Sequence, residues 1–334
     1  MICKCCWKEF TPAGVQHRIL CGDSRDQADV ERLMDGHKIN VAVTSPRYAM
    51  QREYDPESGF TPVPPDEYSG WFRVVAANIA AVLATDGSFF LNLKEHAESG
   101  ERSLYVMDLV IAHKRQWGWR FVDTFCWRKT DEGAPGGWPN RFKNAWEGVY
   151  HLCRQPQIKF RPTAVGHVSE DCFDYNAQNP KSRSGSGLLG AGARGSAAGH
   201  HGAADANGHF AGIARPSNVI EVKTETRQGS DSAPFPRALV EFFVKAFSDE
   251  GDIVADLFLG SGTVIAAAHV LGRVGYGCEI SPGYCDQALR RLMALTHETP
   301  VLQETEQTFT EVAESRGVPV DQAASFNGSK RKAG

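Results

Sequence analysis

Asp252-Ile253-Val254-Ala255-Asp256-Leu257-Phe258-Leu259-Gly260-Ser261-Gly262-Thr263 runs from an apolar, partly β-branched stretch into a glycine turn. Such residues favour a buried strand, expected over 252–256. Gly260 and Gly262 let the chain turn sharply and let a ligand approach the backbone. A helix is expected from Thr263 to Gly272, and its first turn offers unpaired N–H groups. The next strand, Gly275-Tyr276-Gly277-Cys278-Glu279, ends in an acid, and a helix over 283–295 follows. Strand, helix, strand, helix implies a mostly parallel sheet covered on both faces. Sheets of this kind bind ligands beyond the carboxyl ends of their strands. Glu279 is placed to hold ribose hydroxyls through charge-assisted hydrogen bonds. Ile265 stands where a dinucleotide site has its third glycine, so an ordinary nicotinamide site is disfavoured; the bland alternative is a plain tight turn.

The same pattern extends upstream. Arg18-Ile19-Leu20-Cys21 reads as a short strand ended by Gly22-Asp23, and a helix follows over 27–36. Ile39-Asn40-Val41-Ala42-Val43 is a second strand. Helices are expected over 66–84, 103–117 and 236–248, and a strand over 88–93. Strands over 121–127 and 148–153 read as an antiparallel pair. Seven strands result, one of them reversed.

The strand at 39–43 runs into Thr44-Ser45-Pro46-Arg47-Tyr48. Pro46 cannot continue a ladder and pushes Ser45 towards an extended conformation. The product is a stiff finger with a hydroxyl, free carbonyls and an aromatic face. An exocyclic amino group on a base is a poor nucleophile, because its lone pair is delocalised into the ring. Acceptors aimed at its hydrogens favour the pyramidal form that attacks an electrophilic methyl, and Tyr48 can stack on a flipped base. A Pro-terminated strand with a packed tyrosine is the plainer reading of this motif alone.

Together the two motifs resemble the DNA amino-methyltransferases, in the permuted β-class order of finger, target-recognition region, then cofactor loop. The resemblance covers residues 17–299. It implies an α/β, Rossmann-like, circularly permuted S-adenosylmethionine-dependent fold. It implies Ser45, Pro46 and Tyr48 as catalytic residues. Asp256, Phe258, Gly260, Ser261, Gly262 and Thr263 are similar to the family's cofactor loop, and Glu279 to its ribose-binding acid. Leu20-Cys21-Gly22-Asp23-Ser24 resembles the motif on the adenine side. Ser232-Ala233-Pro234-Phe235-Pro236 resembles the first cofactor-contacting motif, which adds Phe235. Asn140 to Glu147 resembles the segment that packs on the target base. Arg47 replaces a second proline usual in the family. Serine at position 45 is commoner in the cytosine-N4 members, so N4 of cytosine is the favoured target and N6 of adenine the alternative. An RNA or protein methyltransferase and a non-catalytic DNA-binding module of the same fold stay as rivals. No Pro-Cys dipeptide is present, so the thiolate chemistry of cytosine-C5 methylation is set aside.

Composition bounds the remainder. The 334 residues are 42% hydrophobic with a net charge of −4, so any DNA surface must be a local one. From Lys114 to Arg161 there are ten Lys or Arg against four Asp or Glu, interleaved with five tryptophans. Lys129, Arg141, Lys143, Arg154 and Arg161, with Arg47, are the candidate phosphate contacts. Duplex DNA is the expected partner, and a homodimer or a companion endonuclease is compatible with the resemblance. The sequence contains no apolar run of membrane-spanning length and no signal-peptide pattern, so a cytoplasmic location is expected; the resemblance implies a DNA-associated protein encoded by a bacterium or its phage.

The expected units are a cysteine-rich segment at 1–16, a catalytic half at 17–154, a target-recognition insert at 155–218, a cofactor half at 219–299 and a disordered tail at 300–334. Residues 182–212, rich in Gly, Ala and Ser and carrying His200-His201, cannot bury a core. Cys3-x-x-Cys6 has zinc-knuckle spacing, and His17 and Cys21 are the nearest further ligands. Cys21 lies inside a strand and a second C-x-x-C is missing, so no metal site is assigned.

Overall fold

Ten strands form one sheet in the computed structural model, which describes residues 9–12, 17–46, 61–130, 140, 142, 144–168, 213–214, 216–225 and 235–318. The strands are β1 Glu9–Pro12, β2 Arg18–Cys21, β3 Ile39–Thr44, β4 Leu83–Leu93, β5 Arg120–Lys129, β6 Trp146–Cys153, β7 Val219–Val222, β8 Ile253–Asp256, β9 Val274–Glu279 and β10 Pro300–Leu302. Their order is β7-β5-β6-β4-β3-β8-β9-β2-β1-β10. Only β1 and β6 run against their neighbours. The seven strands expected from sequence are the contiguous block from β5 to β2. The sheet is wider than expected by β7 on one side and by β1 and β10 on the other, strands of three or four residues, too short to show a period.

The helices are α1 Gln27–Met34, α2 Pro65–Val82, α3 Tyr105–Arg115, α4 Arg237–Phe247, α5 Thr263–Val270, α6 Pro282–Thr296 and α7 Phe309–Ser315. Period-two alternation splits the buried residues between two layers. Along β3, Ala42 joins Phe72, Ile79, Phe89 and Leu109 in the layer under α1 to α3. Val41 and Val43 join Phe90, Phe243, Val254 and Val264 in the layer under α4 and α5. Each fully buried large side chain contributes roughly 1.5–3 kcal/mol of transfer free energy.

The sequence reading of a disordered tail after Thr299 is corrected for residues 300–318. Strand β10 pairs with β1, and α7 carries a Thr308/Glu311 capping box. Phe309, Val312 and Ala313 are buried against Leu289, Leu292 and Ile19. Three apolar residues on one helical face outweigh the glutamates around them.

Topology locates the working crevice. From β8 the chain winds one way through β9, while from β3 it winds the other way through β4. The boundary between β3 and β8 is therefore the topological switch point, where α/β sheets open for ligands. The β3–β8 ladder pairs Val254 with Val41 and Ala255 with Ala42. Beyond those residues the strand ends carry Ser45-Pro46 and Asp256.

Candidate functional site

Asp256 closes β8 at 1% exposure. Its Oδ1 accepts the Phe258 backbone N–H at 2.9 Å and the Thr44 hydroxyl at 2.5 Å. Burial pushes its carboxyl up to about 7, against the pull of those two donors; nearby Glu279 pushes the same way as burial. The turn that follows has Gly260 at φ 53° and Gly262 at φ 82°, a region that disfavours other residues. A Cβ on Gly262 would stand 3.1 Å from that of Ala288 in α6.

Glu279 is buried at the end of β9. One carboxylate oxygen accepts the Gly260 N–H at 2.8 Å, and the other accepts the Ser281 N–H at 2.9 Å. This acid therefore ties the glycine turn to the start of α6. Next to it, the Gly22 N–H donates to the Glu279 carbonyl at 3.1 Å. The Gly22–Arg25 loop is fixed from below. Asn78 of α2 donates to the Ser24 and Arg25 carbonyls, and Asp29 accepts the Asp23 N–H at 2.9 Å. The Arg25 guanidinium grips the Asp23 carboxylate, its shortest contact being 2.6 Å.

These pieces line one cleft. Asp23, Ser24, Phe258 and Glu279 meet there, joined by Trp71 from α2. The Trp71 and Phe258 rings lie 5.9 Å apart. An aromatic wall beside a fixed carboxylate suits a flat ring attached to a hydroxylated sugar. Sequence reasoning missed Trp71, which lies inside the helix expected over 66–84 and outside any motif. It also missed Asn78, Asp29 and Thr44, whose importance lies in contacts to distant segments.

Phe235 is buried beside the start of α4, packed in the layer under that helix. Thr263 is buried and its hydroxyl accepts from Arg291 at 3.0 Å, while Ser261 stays partly open. Ser45 is half-buried and Pro46 buried. Arg47, Tyr48, Arg141 and Lys143 lie outside the described residues, as do Cys3 and Cys6. Cys21 is buried in β2, and His17 is turned to Gly275 and His269.

The basic candidates divide. Lys129 stands at the carboxyl end of the sheet but is largely buried, paired with Glu147 at 2.6 Å. Arg154 follows Cys153, which pairs with Ser88 near the amino end of β4, so it stands at the opposite end of the sheet. There it donates to the Trp117 carbonyl and covers the Trp119 ring. Arg161 is at that same end, its guanidinium on Asp249 at 3.1 Å and its N–H on the Ala246 carbonyl. The structure thus does not bring Arg154 and Arg161 to the finger. A charge count along the chain cannot see that the β5–β6 hairpin sends its cations to both ends. Among the described residues, no helix is long and apolar enough to cross a membrane.

The geometry agrees with what is found among known proteins. A family model described as DNA methylase, covering the N6 and N4 methyltransferases, matches residues 39–290. The type II methyltransferase M.MwoI of Methanothermobacter wolfeii is 31% identical over 143 residues, 40% of this chain and 20% of that protein. The chain thus spans about a fifth of that relative's length. M.PvuII of Proteus hauseri is 23% identical over 287 residues, covering 78% of this chain and 79% of its own. The solved structure of the PvuII DNA methyltransferase, titled cytosine-N4-specific, superposes with a TM-score of 0.59 at 21% identity, over 84% of this chain and 88% of that one.

Proposed function

Because this chain belongs to the N6/N4 DNA methylase family, we propose that it is a site-specific DNA methyltransferase that methylates an exocyclic amino group, N4 of cytosine, from S-adenosyl-L-methionine. The observation that carries the reading is the switch-point crevice, where Ser45-Pro46 and the Asp256 turn stand on adjacent strand ends.

The residues of the cleft fit the cofactor. Glu279, already oriented by two backbone N–H groups, receives ribose hydroxyls. Trp71 and Phe258 flank the adenine, with Asp23 and Ser24 at its edge. Gly260, Ser261, Gly262 and Thr263, at the first turn of α5, would hold the methionyl part, together with Phe235. Bound there, S-adenosyl-L-methionine supplies an electrophilic methyl on a sulfonium. The chain's own task is to hold a flipped base in line with it. Ser45 Oγ and the Pro46 carbonyl accept the amino hydrogens and turn the nitrogen lone pair outward. Tyr48 stacks on the base, and Arg47, Arg141 and Lys143 neutralise phosphates near the crevice. Ser45, where adenine-N6 members more often have aspartate, supports cytosine. The finger precedes the cofactor turn in the chain, in keeping with the permuted β class.

The test is incubation of duplex DNA with the protein and methyl-labelled S-adenosyl-L-methionine, followed by digestion to nucleosides and mass spectrometry. Label in N4-methylcytosine is expected. Label in N6-methyladenine corrects the base and keeps the class. No label in any nucleoside, with the cofactor bound, refutes DNA as the substrate.

A further inference from the structure

Strands β3 and β8 part after Ala42 and Ala255. Two residues beyond that point, the Thr44 hydroxyl donates to Asp256 across the crevice at 2.5 Å, joining residues 212 apart in sequence. Both side chains are buried at 1% exposure. The same Asp256 oxygen accepts the Phe258 N–H, so the hydroxyl is tied directly to the first peptide of the cofactor turn. Thr44 is the last residue of β3 and is joined by one peptide bond to Ser45.

We propose that Thr44 is a positioning residue: its hydroxyl clamps the Ser45-Pro46 finger to the Asp256–Gly262 turn and so sets the separation between amino group and methyl donor. This rests on the reading of the crevice given under Proposed function. A hydroxyl–carboxyl hydrogen bond in a dry site is stronger than in water and directional, which suits a fixed spacer. Transfer requires reacting atoms about 3–3.5 Å apart, and a displacement of about 1 Å costs on the order of 10²-fold in rate. Backbone pairing ties Thr44 to Leu91 of β4 and Asp256 to Gly277 of β9, but the direct ladder between β3 and β8 has already ended, so the hydroxyl links the two strand ends directly. Val in place of Thr keeps the shape of the side chain and removes only the donor. The finger then loses this side-chain tie to Asp256 while the cofactor turn keeps Glu279 on Gly260.

Thr44→Val, Thr44→Ala and Thr44→Ser are compared with wild type by single-turnover methylation of duplex DNA. Calorimetric S-adenosyl-L-methionine binding and thermal melting are measured on the same preparations. The expected result for Thr44→Val and Thr44→Ala is a rate lowered about 30-fold with cofactor Kd within about threefold of wild type. Thr44→Ser, which restores the donor, recovers most of the rate. Two variants that remove the donor keep the test open if one fails to melt cooperatively. A second expectation is that Thr44→Val costs far less on an Asp256→Ala background, where the acceptor is already gone. Unchanged rates in Thr44→Val, or rate and cofactor affinity falling together by the same factor, overturn the positioning role and leave the proposed activity intact. Absence of label in wild type overturns the activity and this role with it.

Discussion

The acids that end β8 and β9 are held differently from those at the amino end of the sheet. At the carboxyl end, Asp256 and Glu279 are buried and are held mostly by backbone N–H groups and a hydroxyl. At the amino end, charges neutralise one another: Lys159 on Asp252 and Asp249, Arg161 on Asp249, and Arg18 on Asp35. Buried His17 and His113 sit there too. Glu279 is oriented by backbone dipoles, whereas Asp249 and Asp252 lie on lysine and arginine side chains. That difference, more than the count of charges, separates the candidate site from ordinary surface.

Removing the finger's hydroxyl is the strongest way to break this contrast. Ser45→Ala is expected to lower the methylation rate by about 10²-fold, a magnitude typical of losing one preorganised polar contact to a transition state. Cofactor affinity and melting temperature are expected to stay near wild type. A variant with full rate removes Ser45 from the chemistry.

Glu279→Ala comes next. It leaves the Gly260 and Ser281 N–H groups without their acceptor and removes the proposed ribose contact. Calorimetry should show cofactor Kd weakened about 30-fold, or roughly 2 kcal/mol, as for loss of a charged hydrogen-bonding partner. Unaltered affinity would place the cofactor elsewhere.

The pH dependence of stability sharpens the comparison, because the buried histidines and Asp256 titrate in opposite senses. Burial pulls His151 down to about 3, and it pulls His113 and His17 down to about 4. A second cause for His17 is the neighbouring His269. The unfolded chain binds these protons first, so the stability they represent is complete above about 6.5 and is lost as pH falls through the folded values. Asp256 is the reverse. Its carboxyl is raised from 3.8 to about 7, so its share is complete below 3.8 and is lost as pH rises through 7. Asp256→Asn should therefore gain melting temperature relative to wild type as the pH is raised from 5 to 8. His151→Phe, which keeps a ring between Phe90 and Phe247, should flatten the decline between pH 6 and 4. Parallel melting curves for Asp256→Asn and wild type across that range would show that Asp256 is not held protonated.

Legibility in the sequence follows the range of the interactions. Strand-to-helix turns are local, and the Gly260–Gly262 turn, Glu279 and the strand ending at Ser45 stood out at once. Ile265 in place of a third glycine looked like a defect. The structure shows that the missing Cβ is on the other partner: a side chain on Gly275 would stand 2.9 Å from the Ile265 Cα, so the strand supplies the close approach that the helix does not. Only the pairing of α5 with β9 reveals that exchange. The tail failed for a different reason. Thr308-x-x-Glu311 is a capping signal and Phe309, Val312 and Ala313 share a face, yet the glutamates dominated the composition. The clamp between Thr44 and Asp256 had no local signal at all, since its halves lie 212 residues apart.

Arg161 gives the smallest expected effect and the cleanest contrast with the crevice. As a cation in a basic stretch it was a candidate phosphate contact, but its guanidinium lies on Asp249 at the amino end, about half exposed. An exposed pair of this kind contributes about 0.2–1 kcal/mol. Arg161→Ala should lower the melting temperature slightly, more at low salt than at high. DNA affinity and the slope of its logarithm against salt should match wild type, since no counterion release is lost. A slope reduced by about one unit means that Arg161 meets a phosphate after all, and the amino end would then belong to the DNA surface.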